Sequence, residues 1–341
     1  MNNEKVLESL SQVLYFPKSD NVVNLNMIRE LHVHDNHIHF DIYFDKRDEK
    51  NEEVVEKACT DALKKEFGND IQVIAKIKYP TNPLAKIGKI IAIASGKGGV
   101  GKSTVSANLA VALHKTGAKV GIIDADIYGP SIPIMFNLEN AKPHVVEKDG
   151  KTWIMPVEQY GIKVLSIGFF VDPGKALIWR GPMASNALKQ LINDSEWGEL
   201  DYLVIDLPPG TGDIHLTLAQ EIPVSGIAIV TTPQEVALAD ARKALSMFTQ
   251  KEIQIPILGL IENMAYFTPA ELPENKYYIF GKEGGQRLAK AANVPLLGEI
   301  PIVESVCEAG DKGRPSALED NTPISDAFKK LAENIIKRLE E

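Results

Sequence analysis

Gly96-Lys97-Gly98-Gly99-Val100-Gly101-Lys102-Ser103-Thr104 is the stretch that decides the fold. It fits the spacing G-x-x-x-x-G-K-[ST] in the context that gives the spacing meaning: an apolar run over 89–94 precedes it and a helical pattern over 102–115 follows. Glycines let successive backbone N–H groups turn inward around phosphate oxygens, and the N-terminus of the following helix adds positive potential. The spacing assigns Lys102 to the β- and γ-phosphates of ATP and the Ser103 hydroxyl to Mg²⁺. Gly96, Gly98, Gly99, Val100, Gly101 and Thr104 complete the cradle. Lys97 is a second lysine, which an ordinary loop of this kind does not need.

Outward from this loop, strand, loop and helix repeat. The segments 119–123, 202–205, 226–230 and 257–261 are short apolar runs, and helical patterns such as 233–250 fall between them. Near-continuous apolar strands alternating with helices predict an α/β fold: a P-loop NTPase with a mostly parallel sheet covered by helices on both faces. Carboxylates close the strands. Asp124 and Asp126 follow one, and Asp206 ends 201–206 as the Walker B aspartate holding Mg²⁺ through water. Pro208-Pro209-Gly210 then opens a switch loop in which Gly210 is placed to sense a γ-phosphate. Asn263 follows the strand 257–261, and a side-chain amide there can pair with an adenine edge.

Before the loop the pattern changes to a small α+β unit. It has helices over 6–14 and 52–67, a hairpin-like 22–44 and a strand over 71–77, and then two prolines within 78–83. The expected boundaries are a small domain at 1–80, a linker at 81–88 and an ATPase domain at 89–341. Val55, Ala58, Cys59, Ala62 and Leu63 form one helical stripe, which makes Cys59 a buried thiol. In Leu31-His32-Val33-His34-Asp35-Asn36-His37-Ile38-His39-Phe40, an Asp-Asn turn sets His34 opposite His37 and His32 opposite His39, all on one face. That face is either the solvated side of an amphipathic hairpin or a Zn²⁺ or Fe²⁺ site.

Asp plus Glu number 46 against 37 Lys plus Arg, a net charge of −9, which disfavours nucleic acid and anionic lipid as partners. Two cysteines make no disulfide framework and suggest a reducing compartment. The N-terminus is polar, and no apolar run nears the ~18 residues of a membrane span, so a cytoplasmic location is expected. The amphipathic stretch 325–341 mixes both charges on its polar face and is read as a core-packing helix rather than a membrane anchor.

Gly-Lys-Gly-Gly-Val-Gly-Lys resembles the deviant P-loop of the MinD/ParA/nitrogenase-iron-protein class. The resemblance implies that Lys97 reaches the nucleotide of a facing subunit, hence a homodimer. It also implies that Asp126 orients the attacking water, that Asp124 sits near the Mg²⁺ shell and that Asn263 reads adenine. Several segments narrow the likeness to the Mrp/ApbC iron–sulfur cluster carrier ATPases: 124–133, Trp179-Arg180-Gly181-Pro182-Met183, 231–238, 279–285 and 310–315. That family implies a slow, Mg²⁺-dependent, dimeric ATPase. It would take a [4Fe–4S] cluster from an assembly scaffold and pass it to apo-proteins. The alternative is a MinD/ParA-like positioning or scaffold ATPase with no cluster.

The chain departs from this family at its cluster site, a Cys-x-x-Cys. Pro269 and Leu272 stand in its register, and neither ligates iron. Phe44-Asp45-Lys46-Arg47-Asp48-Glu49 likewise replaces the Thr-x-x-Cys-Pro of the small domain. Cys307, in a loop-like region before Gly310, remains as the candidate iron–sulfur ligand.

Overall fold

Strands of the expected parallel sheet lie side by side around the strand that feeds the P-loop. The computed structural model describes all residues except 46, 80–81, 149–150, 171–180, 213, 216–217, 220–221, 252, 270 and 273. Trp179, Arg180, Lys46 and positions 80–81 of the expected linker therefore lie outside the described residues. The chain forms two units: Met1–Asn82 with Glu147–Thr152, and Pro83–Val146 with Trp153–Glu341.

The first unit contains α1 (Asn3–Leu10), the short strands β1 (Leu14–Tyr15) and β2 (Asp20–Asn21), β3 (Ile28–His34), β4 (His37–Tyr43), α2 (Glu49–Phe67) and β5 (Gln72–Lys78). Helix α1 stops at Leu10 rather than running to 14, because Leu14 and Tyr15 pair with Asn21 and Asp20. The side chain of Asp48 caps α2 by accepting from Asn51 N–H. Strand β4 pairs antiparallel with β3 and parallel with β5. Ile38, Phe40 and Ile42 are fully buried with Val6, Leu10, Val55, Cys59 and Leu63. Burial pushes the Cys59 thiol up to about 12, so it is an inert core thiol. The hairpin has the expected register, His34 opposite His37 and His32 opposite His39, and the latter rings stack 6.3 Å apart. Among the described residues, no three His, Cys, Asp or Glu side chains are grouped to hold a metal, so the metal reading of this face goes no further.

The second unit runs β6 (Ile87–Ser95), α3 (Lys102–His114), β7 (Val120–Asp124), α4 (Ile132–Met135), β8 (His144–Lys148), β9 (Lys151–Met155), β10 (Val157–Gln159) and β11 (Ile162–Ser166), except that Glu147–Lys148 of β8 and Lys151–Thr152 of β9 belong to the first unit. It continues through α5 (Gly181–Asn193), β12 (Leu200–Asp206), β13 (Gly226–Thr231), α6 (Glu235–Phe248), β14 (Ile257–Phe267), α7 (Gly284–Ala292), β15 (Leu296–Ile302), α8 (Glu304–Asp311) and α9 (Pro323–Glu340). The end of the expected linker belongs to this unit. Leu84 is buried in its core and Ile87 and Gly88 open β6, because apolar Leu84 and Ile87 have core to join.

The eight-stranded sheet has the order β10-β11-β7-β12-β6-β13-β14-β15, parallel except at β10. One face packs α3 and α9, with Leu109, Phe328, Leu331 and Ile335 fully buried. The other packs α5 and α6, with Leu188, Ala244 and Phe248. Each such Leu, Ile or Phe contributes about 1.5–3 kcal/mol. Helix α9 buries its apolar stripe in the core, and among the described residues no helix is long and apolar enough to cross a membrane. Strand β12 lies between β6 and β7, while β13 lies beyond β6. The direction of winding reverses there, and the crevice at such a reversal is where open α/β sheets bind ligands.

Candidate nucleotide site

The P-loop joins the end of β6 to α3. Gly99 and Gly101 sit at φ +80° and +77°, in the left-handed region that a side chain rarely adopts. A Cβ on Gly101 would also fall 2.3 Å from Asn263 Nδ2, which donates to the Val100 carbonyl at 2.8 Å. Gly96 serves a different need from the cradle role expected of it. A Cβ there would meet the backbone of Asp240 on α6 at 2.2 Å, so Gly96 allows helix and loop to touch. The loop encloses a cavity of about 200 Å³, lined by Lys97, Gly98, Gly99, Lys102, Ser103 and Asp126, among others. Thr104 borders it as well. Lys97 is half-buried, and no ion pair to it is found among the described residues.

Behind the loop, two carboxylates share one ammonium. Lys102 Nζ donates to Asp206 Oδ1 at 2.9 Å and stands 3.5 Å from Asp126 Oδ2. Ser103 Oγ donates to Asp206 Oδ2 at 2.5 Å, and Ser106 Oγ lies 2.6 Å from Asp206 Oδ1. A hard divalent cation suits this oxygen set, and its charge would relieve the crowded carboxylates.

Asp124, expected near the Mg²⁺ shell, lies level with Asp206 on the neighbouring strand, and its own oxygens are already engaged. Fully buried, it accepts from Asp126 N–H and Ile132 N–H at 3.1 Å each and from Ser166 Oγ at 3.0 Å. It therefore organises the loop after β7. Burial, reinforced by the charge of Asp206, raises its pKa; burial also raises that of Asp126 against the pull of Lys102. Groups raised in this way stabilise the fold in acid, and that contribution is lost as pH rises through their folded values. Thermal melts from about pH 4 to about pH 9 should show a smaller fall in Tm with rising pH for Asp124→Asn than for wild type. An unchanged slope contradicts this assignment.

Gly210, expected to face a γ-phosphate, here donates its N–H to the Ser95 carbonyl at 2.9 Å, at φ +94°. Asn263 is not at a strand end: β14 continues to Phe267, so the amide is fixed in mid-strand against the P-loop. A second cavity of about 700 Å³ shares Gly101 and Thr104 with the first. Asn263, Ile279, Pro301, Val303 and Cys307 help to line it. A mostly apolar hollow with a few polar groups beside a phosphate cradle suits a nucleotide base. Cys307 lies in helix α8 rather than a loop, exposed, with Sγ 3.9 Å from Asp311 Oδ2. Valines 303 and 306 face this cavity and give the segment its helical packing. Pro269 and Leu272 follow β14, Leu272 exposed, and supply no ligand.

Ser106 and His215 escaped the motif reading. Both are buried; His215 Nδ1 lies 3.2 Å from the Gly212 carbonyl, and burial lowers its pKa.

Residues 86–336 match the family described as ParA, NUBPL iron-transfer P-loop NTPase. The chain belongs to that family. An iron–sulfur cluster carrier protein of Synechocystis is 42% identical over 323 residues, covering 92% of this chain and 91% of that protein. The Arabidopsis thaliana iron–sulfur protein required for NADH dehydrogenase is 48% identical over 74% of this chain and 79% of its own length. Among solved structures, a nucleotide-binding protein from Archaeoglobus fulgidus in complex with ADP matches 72% of this chain and 93% of that one. Its TM-score is 0.60 at 42% identity. MinD of Pyrococcus horikoshii, with a TM-score of 0.54, covers 73% of this chain and 96% of its own; at 24% identity it shares the fold alone. Family membership bears out the resemblance to the Mrp-type carriers and the P-loop NTPase fold.

Proposed function

We propose that this protein is an ATP-binding, slowly ATP-hydrolysing homodimer that receives an iron–sulfur cluster and passes it to apo-proteins. The observation that carries the nucleotide half is the Lys102–Asp206–Ser103 cluster beneath a glycine cradle that opens into a base-sized cavity. ATP would lie with its phosphates at Gly98–Ser103 and its base against Asn263. Lys102 exchanges Asp206 for phosphate oxygens. Asp126 holds the water that attacks the γ-phosphorus as the bond to the β-phosphate oxygen breaks. Ser103 and Asp206 would hold Mg²⁺, which when bound draws charge from the phosphates. Gly210 would exchange the Ser95 carbonyl for a γ-phosphate oxygen, coupling nucleotide state to the switch loop.

Relatives named as carriers, matched at 42% identity over nearly the whole chain, favour cluster transfer over a MinD-like scaffold. The cluster is cargo, and its preferred ligands are thiolates. Cys59 is fully buried, so any thiolate this chain supplies comes from Cys307, two per dimer. The remaining ligands would come from the assembly scaffold or the apo-client. Anaerobic reconstitution with iron, sulfide and a small thiol to stand in for the partner's ligands should give a charge-transfer band for wild type and none for Cys307→Ala. No band in wild type would remove the carrier role from this chain acting alone.

A further inference from the structure

Asp206 is fully buried and has three polar partners. Oδ1 receives Lys102 Nζ at 2.9 Å and Ser106 Oγ at 2.6 Å; Oδ2 receives Ser103 Oγ at 2.5 Å. The proposed chemistry claims two of them. A phosphate draws off the Lys102 ammonium, and a divalent cation takes the Ser103 hydroxyl as a ligand. Ser106 alone has no other task. It stands one helical turn beyond Lys102 and Ser103 on α3, so it shares their face toward β12. Its hydroxyl has one proton and two acceptors in reach, Asp206 Oδ1 at 2.6 Å and the Lys102 carbonyl at 3.0 Å. The nearer, charged acceptor takes the proton.

We propose that Ser106 is the positioning residue for the metal-binding carboxylate, holding Asp206 Oδ1 so that Oδ2 stays turned toward Ser103 when Lys102 moves to phosphate. Without it, Oδ1 would be a buried lone-pair site with no donor. The carboxylate would then be free to rotate, which weakens its hold on a cation. This inference rests on the nucleotide and Mg²⁺ reading above. Partners that orient a ligand in this way typically change metal affinity by about 10–100-fold.

The test is calorimetric ADP binding, with MgCl₂ titrated and separately in EDTA. Ser106→Ala should raise the Mg²⁺ concentration that gives half the gain in affinity by about tenfold, with ADP affinity in EDTA unchanged within about twofold. Ser106→Thr, which keeps the hydroxyl, should restore the wild-type Mg²⁺ dependence. If the alanine protein does not fold, Ser106→Cys fills the volume with a poor donor and should show the same shift. An unchanged Mg²⁺ dependence, or an equal loss with and without Mg²⁺, overturns the proposal. A wild type whose ADP affinity ignores Mg²⁺ instead overturns the nucleotide–metal reading beneath it.

Discussion

Lys97→Ala is expected to lower ATP turnover by about 10³-fold while leaving ATP affinity within about threefold. The lysine lines the phosphate cavity, yet no carboxylate among the described residues holds it. Lys102, by contrast, is engaged with Asp206 and Asp126. Charge grows on the phosphate oxygens as the γ-phosphoryl group transfers, and a cation delivered at that moment stabilises the transition state more than the ground state. Steady-state phosphate release set against equilibrium binding separates the two effects. Mixing subunits tests whether the lysine acts across a dimer. Lys97→Ala and Lys102→Ala proteins should each be nearly inactive alone. A mixed dimer joins the intact P-loop of the first to the Lys97 of the second and should recover measurable turnover. No recovery in a mixture shown to form mixed dimers would place Lys97 in its own site or in none.

The parallel strands could be read from the chain because apolar runs such as 90–94 and 226–230 have no polar interruption. The His32–His39 register was equally legible, since a two-residue turn leaves one pairing that keeps Ile38 and Phe40 inside. Strand β15 was not, because Gly298, Glu299 and Pro301 break its apolar run and only its neighbour β14 and helix α9 define it. At the site, the residues of the phosphate loop were fixed by spacing. The hydrogen bonds that engage Asp124 were not legible, because Ser166 becomes its neighbour only when β11 pairs with β7. Ser106 looked like one more small residue of a buried helix, and only the approach of β12 gives its hydroxyl an acceptor. Cys307 read as loop because Glu304-Ser305 and Gly310 suggest no helix; the apolar cavity beneath Val303 and Val306 supplies one.

Lys102→Ala should cut ATP affinity at least ~100-fold, about 2.7 kcal/mol, and should also destabilise the protein without ligand. The second effect follows from burial. Lys102 is 6% exposed, Asp206 and Asp124 are 0% exposed and Asp126 is 8% exposed, so removing the ammonium leaves repelling carboxylates in a low-dielectric pocket. Taking one partner from a buried ion pair costs about 3–5 kcal/mol. Protonation of a carboxylate can answer part of that cost, so the deficit should be largest above neutral pH and shrink in acid, where the raised groups are neutral. Urea unfolding at several pH values reads this directly. Adding Asp206→Asn to Lys102→Ala removes a charge that the lysine had balanced, and the double variant should regain most of the lost stability at neutral pH while ATP binding stays absent. Stability and affinity then part company. If the double variant is as unstable as Lys102→Ala, the lysine stabilises the fold through its stem packing rather than its charge. The buried carboxylates would then not be the strained element that phosphate and Mg²⁺ relieve.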